Sequence, residues 1–168
     1  MKMELIQPFI NSLDAVIAET MGCSAEIADV TMEEGEYQRA GVAALVGISG
    51  EIEGRVVLDM DTGAAHQVAA DLAGAAGEQT EESARETVCE LTNMVIGNAV
   101  TQLNNSGFKF RVHPPEVYEY SSGLLGSRDT EAVVLRFETT RGRLYLSIAV
   151  RYQQRRSDER VPATVLCP

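Results

Sequence analysis

The sequence predicts an α/β fold of the α+β kind, in which long helices pack on a mostly antiparallel sheet built from two similar halves. Two stretches, 4–22 and 81–105, carry apolar residues at helical spacing. Each is followed by short alternating segments with hairpin connections, which are typical of strands. In addition, Gly54-Arg-Val-Val-Leu58 is echoed eighty-eight positions later by Gly142-Arg-Leu-Tyr-Leu146. The echo and the repeated order of elements favour two related halves.

The first half is expected to begin with a helix over 4–22, with Pro8 in its first turn and Gly22 at its end. Strands are predicted over 25–32, 42–49 and 54–60, with an acidic turn at 33–36 and a hairpin at 50–54. Asp61 and Thr62 can cap a further helix. That helix carries a stripe of small or apolar residues, which predicts close packing against a neighbour: Ala65, Val68, Ala69, Leu72 and Ala73.

The second half begins after a Gly/Ala linker over 74–79 with the longest predicted helix, 81–105, which the segment 104–107 ends. Short strands are expected over 108–112 and 117–120, on either side of the break at Pro114-Pro115. A loop over 121–129 then leads to a hairpin made of strands 132–139 and 143–152. We predict one domain over 1–152 and an irregular tail over 153–168.

Composition narrows the classes of protein. A chain of 168 residues with 45% hydrophobic residues can bury a full core. The net charge of −11 argues against nucleic acid and against anionic membranes as partners. Three cysteines without metal-ligand spacing indicate reduced thiols. Because no segment is typical of a signal peptide or a membrane span, we expect a cytoplasmic location.

The predicted helix 81–105 has an unusual outer face. At 100° per residue, one side is apolar and faces the core: Ala84, Val88, Leu91, Val95 and Ala99. The opposite side is polar and has no basic residue: Glu86, Glu90, Asn93, Gly97 and Asn104. Apolar residues border this polar side, with Cys89, Ile96 and Val100 on one flank and Met94 on the other. A Glu and an Asn three apart are usually just solvated, but this apolar rim suits contact with a partner.

These residues resemble the CheC/CheX/FliY family of chemotaxis phosphatases. The family signature is Asp or Ser, three residues, Glu, two residues, Asn, and a proline about twenty-two residues later. Here Glu90-Leu-Thr-Asn93 supplies the Glu and Asn, Gly97-Asn98-Ala99 the following segment, and Pro114 or Pro115 the proline. The opening Gln7-Pro8-Phe9-Ile10 is also similar to CheX-type members, and the resemblance covers most of 4–152.

The chain departs from the family in two respects: Glu86 stands where the family has Asp or Ser, and Pro115 lies one residue short of the usual spacing, a difference that a loop can absorb. The first predicted helix has no Glu-x-x-Asn. CheC-type members carry the signature on both halves, whereas a single copy is similar to CheX-type members with one active site per chain.

The resemblance implies a CheC-like fold and an enzyme that hydrolyses the phosphoaspartate of a phosphorylated CheY-like receiver domain. In that role Asn93 orients a water for in-line attack, and Glu90 pairs with a lysine of the receiver. Partner contacts are expected from Glu86, Met94, Ile96, Gly97 and Val100. No cofactor of its own is implied, since a divalent metal such as Mg²⁺ is expected on the receiver. Gly97 has two readings, close helix packing or room for the partner, whereas Asn98 is expected to be a structural hydrogen-bonder.

Two other classes of function stay open from the sequence. The chain could be a non-catalytic adaptor that binds a receiver in a two-component or chemotaxis system, and the departure at Glu86 leaves room for this. It could also be a dimerisation scaffold, since CheX-type proteins pair through their sheets. We expect a homodimer, with the strand 143–152 as an exposed edge available for pairing. His66 and His113 are expected to be structural.

Overall fold

The computed structural model describes residues 2–73, 80–118, 124–125 and 131–153. The described helices are α1 (Met3–Met21), α2 (Thr62–Ala73) and α3 (Glu81–Asn105). The described strands are β1 (Glu26–Glu34), β2 (Tyr37–Gln38), β3 (Val42–Gly50), β4 (Ile52–Met60), β5 (Phe110–Val112), β6 (Glu116–Tyr118), β7 (Leu124–Leu125), β8 (Glu131–Thr139) and β9 (Gly142–Tyr152). The predicted linker 74–79, most of the loop 121–129 and the tail beyond residue 153 lie outside the described residues.

Seven of the described strands form one antiparallel sheet. Its order is β1-β8-β9-β4-β3, and the short strands β5 and β6 both pair with the outer edge of β3. The other two described strands, β2 and β7, form a separate pair of two residues each. The predicted class is therefore confirmed: long helices accompany a mostly antiparallel sheet.

The two predicted halves meet at the centre of this sheet. Strand β4 pairs along its whole length with residues 144–152 of β9, with Leu58 opposite Leu146. The hairpin β3–β4 lies on one side of this junction and the hairpin β8–β9 on the other. The outer strands cross over, because β1 of the first half pairs with β8 while β5 and β6 of the second half pair with β3. Each half thus completes its sheet with strands from the other.

The echoed glycines mark close backbone approaches. Gly54 has φ 138° and Gly142 has φ 130°, a region that L side chains rarely adopt. A Cβ on Gly54 would lie 1.8 Å from the carbonyl oxygen of Ala149 on the neighbouring strand. A Cβ on Gly142 would lie 2.7 Å from the Cβ of Ala64 in α2. Both positions exclude a side chain, which gives the repeated glycine a physical reason.

The three described helices cover one face of the sheet and enclose the main core. The buried stripe of α1 has the period of an amphipathic helix: Leu5, Ile6, Phe9, Leu13, Val16 and Ile17. It packs on α3, which also packs on α2 and on the β3 side of the sheet. A smaller cluster containing Tyr37, Ala43, Val57 and Val134 lies on the other face of the sheet. None of the helices described here is long and apolar enough to span a bilayer.

Two expectations about the helices are wrong. Pro8 lies inside α1, which already begins at Met3, so the proline is in the second turn. In α2 the packed residues are Ala64, Ala65, Val68 and Ala69, whereas Leu72 is 50% exposed. Ala73 is exposed as well, as is Asp71 in the same turn.

The strand expected to form an exposed edge is not at an edge. β9 (Gly142–Tyr152) pairs with β8 over 142–148 and with β4 over 144–152, so it is an interior strand and most of its backbone groups are already paired. Among the described strands, one edge of the sheet is formed instead by β1, and all nine of its residues are exposed. The hairpin was predicted correctly, but its place in the sheet depends on long-range pairing.

Candidate functional site

Helix α3 carries the predicted site, and its bounds agree with the predicted 81–105. A capping box fixes its start, because the amide of Ser83 donates to Thr80 Oγ1 at 3.1 Å and the amide of Thr80 donates to Ser83 Oγ at 3.0 Å. The predicted core side is buried, with no member more than 1% exposed: Ala84, Val88, Leu91, Val95 and Ala99. The register of the outer face is therefore fixed by both capping and packing.

The outer face of α3 presents the expected polar residues. Glu86, Glu90, Asn93 and Gly97 are all exposed and lie within three helical turns of one another. Around a Cβ built on Gly97 there is no atom of a neighbouring element within 4 Å. This removes close helix packing as the reason for that glycine and leaves open space above the helix.

The predicted apolar rim is only partly present. Met94 and Val100 are half-buried and pack against the core from the sides of α3. Ile96 was expected in the rim, but it is 4% exposed and belongs to the core. The buried arc of α3 is wider on this flank than the sequence indicated, since Thr92 and Leu103 are buried there too. Asn98 was expected to be a structural hydrogen-bonder, but it is exposed.

A groove of about 490 Å³ runs beside Glu90 and Asn93, between α3 and the edge strand β6. Among the described residues, six of α3 and one of β6 line it: Glu82, Arg85, Glu86, Cys89, Glu90, Asn93 and Val117. The sequence prediction had Glu86, Glu90 and Asn93 on the outer face and Cys89 on a flank, but it missed Glu82, Arg85 and Val117. Arg85 shows that a basic residue does border the outer face.

The two prolines position the β6 wall of this groove. β5 pairs with β3 at Ile48–Gly50, β6 pairs with β3 at Ala43–Leu45, and the connection between them contains Pro114 and Pro115. The amide of His113 donates to the carbonyl of Gly47 at 2.9 Å, and its ring bonds Ser49 Oγ at 2.9 Å. Since proline has no amide hydrogen, the chain leaves the ladder there and re-enters it at Glu116. Val117, opposite Ala44, then lies on the helix-covered side of the sheet, against α3.

The antiparallel sheet of two crossed halves and the exposed helix that carries Glu90 and Asn93 fit the CheC-like class that the sequence resembles. Consistent with this, the family described as "Chemotaxis phosphatase CheX" matches residues 42–138, more than half of the chain. The chain belongs to this family. No curated protein sequence matches it significantly.

Solved structures of other proteins share the fold. A CheC-like superfamily protein from Shewanella sp. PV-4 has a TM-score of 0.79 at 22% identity, over 90% of this chain and 99% of that one. The chemotaxis protein CheX from Vibrio vulnificus has a TM-score of 0.75 at 24% identity, over 88% and 99%. CheX from a complex with CheY, BeF₃ and Mg²⁺ from Borrelia burgdorferi has a TM-score of 0.66 at 27% identity, over 87% and 97%. The predicted CheC-like fold and the resemblance of the sequence to CheX-type members are thereby confirmed.

Proposed function

We propose that this chain hydrolyses the phosphoaspartate of a CheY-like receiver domain in the cytoplasm. The observation that carries the proposal is the exposed pair Glu90 and Asn93, three residues apart on α3 and beside an open groove. Membership of the chemotaxis phosphatase family supports it. The Borrelia relative is bound to CheY together with Mg²⁺ and BeF₃, which stands in for a phosphoryl group.

The proposed role of Asn93 is to position the attacking water. A phosphoaspartate on a receiver is already held by a metal ion and a lysine, so the missing component is a water oriented for in-line attack. The amide oxygen of Asn93 accepts a hydrogen bond from that water, and the amide nitrogen donates to a phosphoryl oxygen. Because the metal belongs to the receiver, this chain needs no cofactor of its own.

Glu90 fixes the position in which the receiver docks on α3. It lies almost one turn before Asn93 on the same exposed face, so its carboxylate can pair with the receiver's lysine while Asn93 reaches the phosphoryl group. Glu86, one turn earlier again, extends the acidic contact at the position where the family signature has Asp or Ser. Met94 and Val100 contribute apolar contact from the flanks, and the open space above Gly97 admits the receiver's loops.

Asn93→Ala tests the proposal. A phosphorylated receiver is mixed with the chain in Mg²⁺, and the loss of its phosphoryl group is followed while binding is measured separately. Asn93→Ala is expected to remove the acceleration and to retain binding, since the water loses its orienting amide. Asn98→Ala is the matched control, because Asn98 is also an exposed amide on α3 but lies off the outer face.

The same assay separates the enzyme from an adaptor. A wild-type chain that binds the phosphorylated receiver without accelerating its decay is an adaptor, and the phosphatase proposal is then wrong. An Asn93→Ala variant that keeps full acceleration rejects the role of Asn93 alone.

We also propose that the chain forms a homodimer, through β1 rather than through the strand 143–152. β1 is nine residues long, each of its residues is exposed, and it pairs only with β8 among the described strands. Ile27, Val30 and Met32 are 47–55% exposed and lie opposite core residues of β8, so they extend the apolar face of the sheet beyond its helical cover. A second copy pairing antiparallel with β1 buries these side chains under two-fold symmetry.

A further inference from the structure

The groove between α3 and β6 combines an apolar floor with an acidic rim. Val117 is half-buried and packs against the main core, and Cys89 of α3, also half-buried, lines the same groove. The charged groups among the described lining residues are the carboxylates of Glu82, Glu86 and Glu90 and the guanidinium of Arg85. Three negative groups against one positive group give this described part of the lining a net charge of −2. Such a lining favours a side chain that is apolar along its length and positive at its end.

We propose that this groove is a second anchoring point for the receiver domain and takes a lysine or arginine side chain from it. The hydrocarbon stem lies on Val117 and Cys89, and the cationic head lies between Glu82 and Glu86. The proposal rests on the proposed function, because it identifies the partner's contact with this groove as part of the same docking event. It adds a specificity-determining contact, separate from the pairing of Glu90 with the receiver's active-site lysine.

The position of the groove restricts which residue of the receiver can enter it. Asn93 and Glu90 border the groove at one end, and Glu82 borders it at the other. Glu86 lies seven residues and Glu82 eleven residues before Asn93, which corresponds to about 10 and about 16 Å along the helix axis. A receiver that presents its phosphoaspartate to Asn93 therefore needs a basic residue on its surface about 10–16 Å from that group.

Glu82→Lys is the primary test variant. Glu82 is exposed in the first turn of α3 and is outside the proposed catalytic pair, so its replacement leaves the core and the water-orienting amide unchanged. The control is Glu81→Lys, which changes the net charge and the charge of the same first turn equally but lies outside the groove lining. Both variants are assayed on a CheY-like receiver, phosphorylated with acetyl phosphate in Mg²⁺, that the wild-type chain dephosphorylates.

Glu82→Lys is expected to raise the half-saturating concentration of phosphorylated receiver by about tenfold relative to Glu81→Lys. The maximal rate is expected to stay within about twofold, because anchoring away from the reacting atoms acts on binding rather than on chemistry. The basic residue of the receiver that enters the groove is then replaced by Glu. This receiver variant should bind Glu82→Lys again, because the two charges of the contact have been exchanged.

Three results would overturn the assignment while leaving the phosphatase in place. Glu82→Lys could behave like Glu81→Lys, it could lower the maximal rate without changing half-saturation, or no charge reversal on the receiver could restore its binding. A fourth result is of a different kind: a wild-type chain that accelerates the decay of no CheY-like receiver rejects the proposed function itself. Measuring the wild type first separates the two failures.

Discussion

The phenol of Tyr37 donates a hydrogen bond of 2.8 Å to the buried carboxylate of Asp59, twenty-two residues later in the chain. Asp59 is 0% exposed and lies on β4, on the face of the sheet opposite the helices. Its two oxygens also accept from the amides of Ala40 at 2.5 Å and Gly41 at 3.0 Å. The carboxylate of Asp59 thus links β2, and the connection between β2 and β3, to strand β4 at the centre of the sheet.

Tyr37→Phe is expected to destabilise the chain by about 1–3 kcal/mol, because a buried acceptor loses one of its donors. Urea denaturation measures the free energy of unfolding of both forms. A Tyr37→Phe variant as stable as the wild type would show that the two amides alone satisfy Asp59. The receiver assay serves as a control. Since α3 lies on the opposite face of the sheet, the Tyr37→Phe variant should dephosphorylate the receiver as fast as the wild type does.

The stability of the chain should carry a pH dependence from Asp59. Burial raises the pKa of this carboxyl above its ordinary value of 3.8, and the hydrogen bonds from Ala40, Tyr37 and Gly41 oppose the rise. The folded state therefore holds the proton more tightly than the unfolded state. This contribution to stability is fully present below pH 3.8 and is lost as the pH rises through the folded pKa.

Carboxyl-carbon NMR of Asp59 measures that pKa directly. Urea denaturation across the same pH range, compared with Asp59→Asn, isolates the contribution of this residue from those of the other carboxylates. An NMR titration with a midpoint at or below 3.8 would contradict the direction of the shift.

Local periodicity was enough to predict α3 and its outer face. Glu86, Glu90 and Asn93 are exposed as predicted because the helical period, the cap at Thr80 and the apolar stripe all set the same register. The order of helices and hairpins was predictable for a similar reason, since each depends on residues close in sequence.

Features that depend on distant pairing were not predictable. Val117 reaches the site only because β6 pairs with β3, more than seventy residues earlier. Ile96 is buried because the core wraps further around α3 than its own spacing indicated. The central position of β9 likewise follows from its pairing with β4, which no local pattern specifies.

Two substitutions at Gly97 should have opposite effects: a small side chain should stabilise the fold, and a large one should weaken receiver binding. Gly97→Ala is expected to stabilise the chain by about 0.5–1 kcal/mol, because glycine is a poor helix former and no neighbour opposes a Cβ here. Gly97→Trp is expected to lower receiver affinity by at least about tenfold, since a large side chain then fills the docking surface. Asn104→Trp is the control, because Asn104 is exposed on the same side of α3 two turns further on. Equal affinities for the two tryptophan variants would place Gly97 outside the interface.

Glu90→Lys is expected to weaken receiver binding by more than about tenfold, because an attractive contact with the receiver's lysine becomes a repulsive one. Lowering the ionic strength should strengthen receiver binding by the wild type and weaken it for the variant, so the difference between the two affinities should grow. Calorimetry or fluorescence titration with the receiver measures it. Glu19→Lys on the exposed side of α1 carries the same charge change and controls for net charge. An unchanged affinity for Glu90→Lys would remove this residue from the interface.

Val30→Glu tests the proposed pairing of two chains through β1. Val30 is 55% exposed on the edge strand, opposite Leu135 of β8, so a carboxylate there would be buried against the second copy. We expect light scattering with size-exclusion chromatography to give a dimer for the wild type and a monomer for Val30→Glu.

The matched control is Leu72→Glu, since Leu72 is 50% exposed but lies on α2, outside the edge strand. A monomeric wild type rejects the dimer, and a dimeric Val30→Glu places the contact elsewhere. Because α3 does not contribute to this edge, phosphatase activity per chain should be equal in both forms.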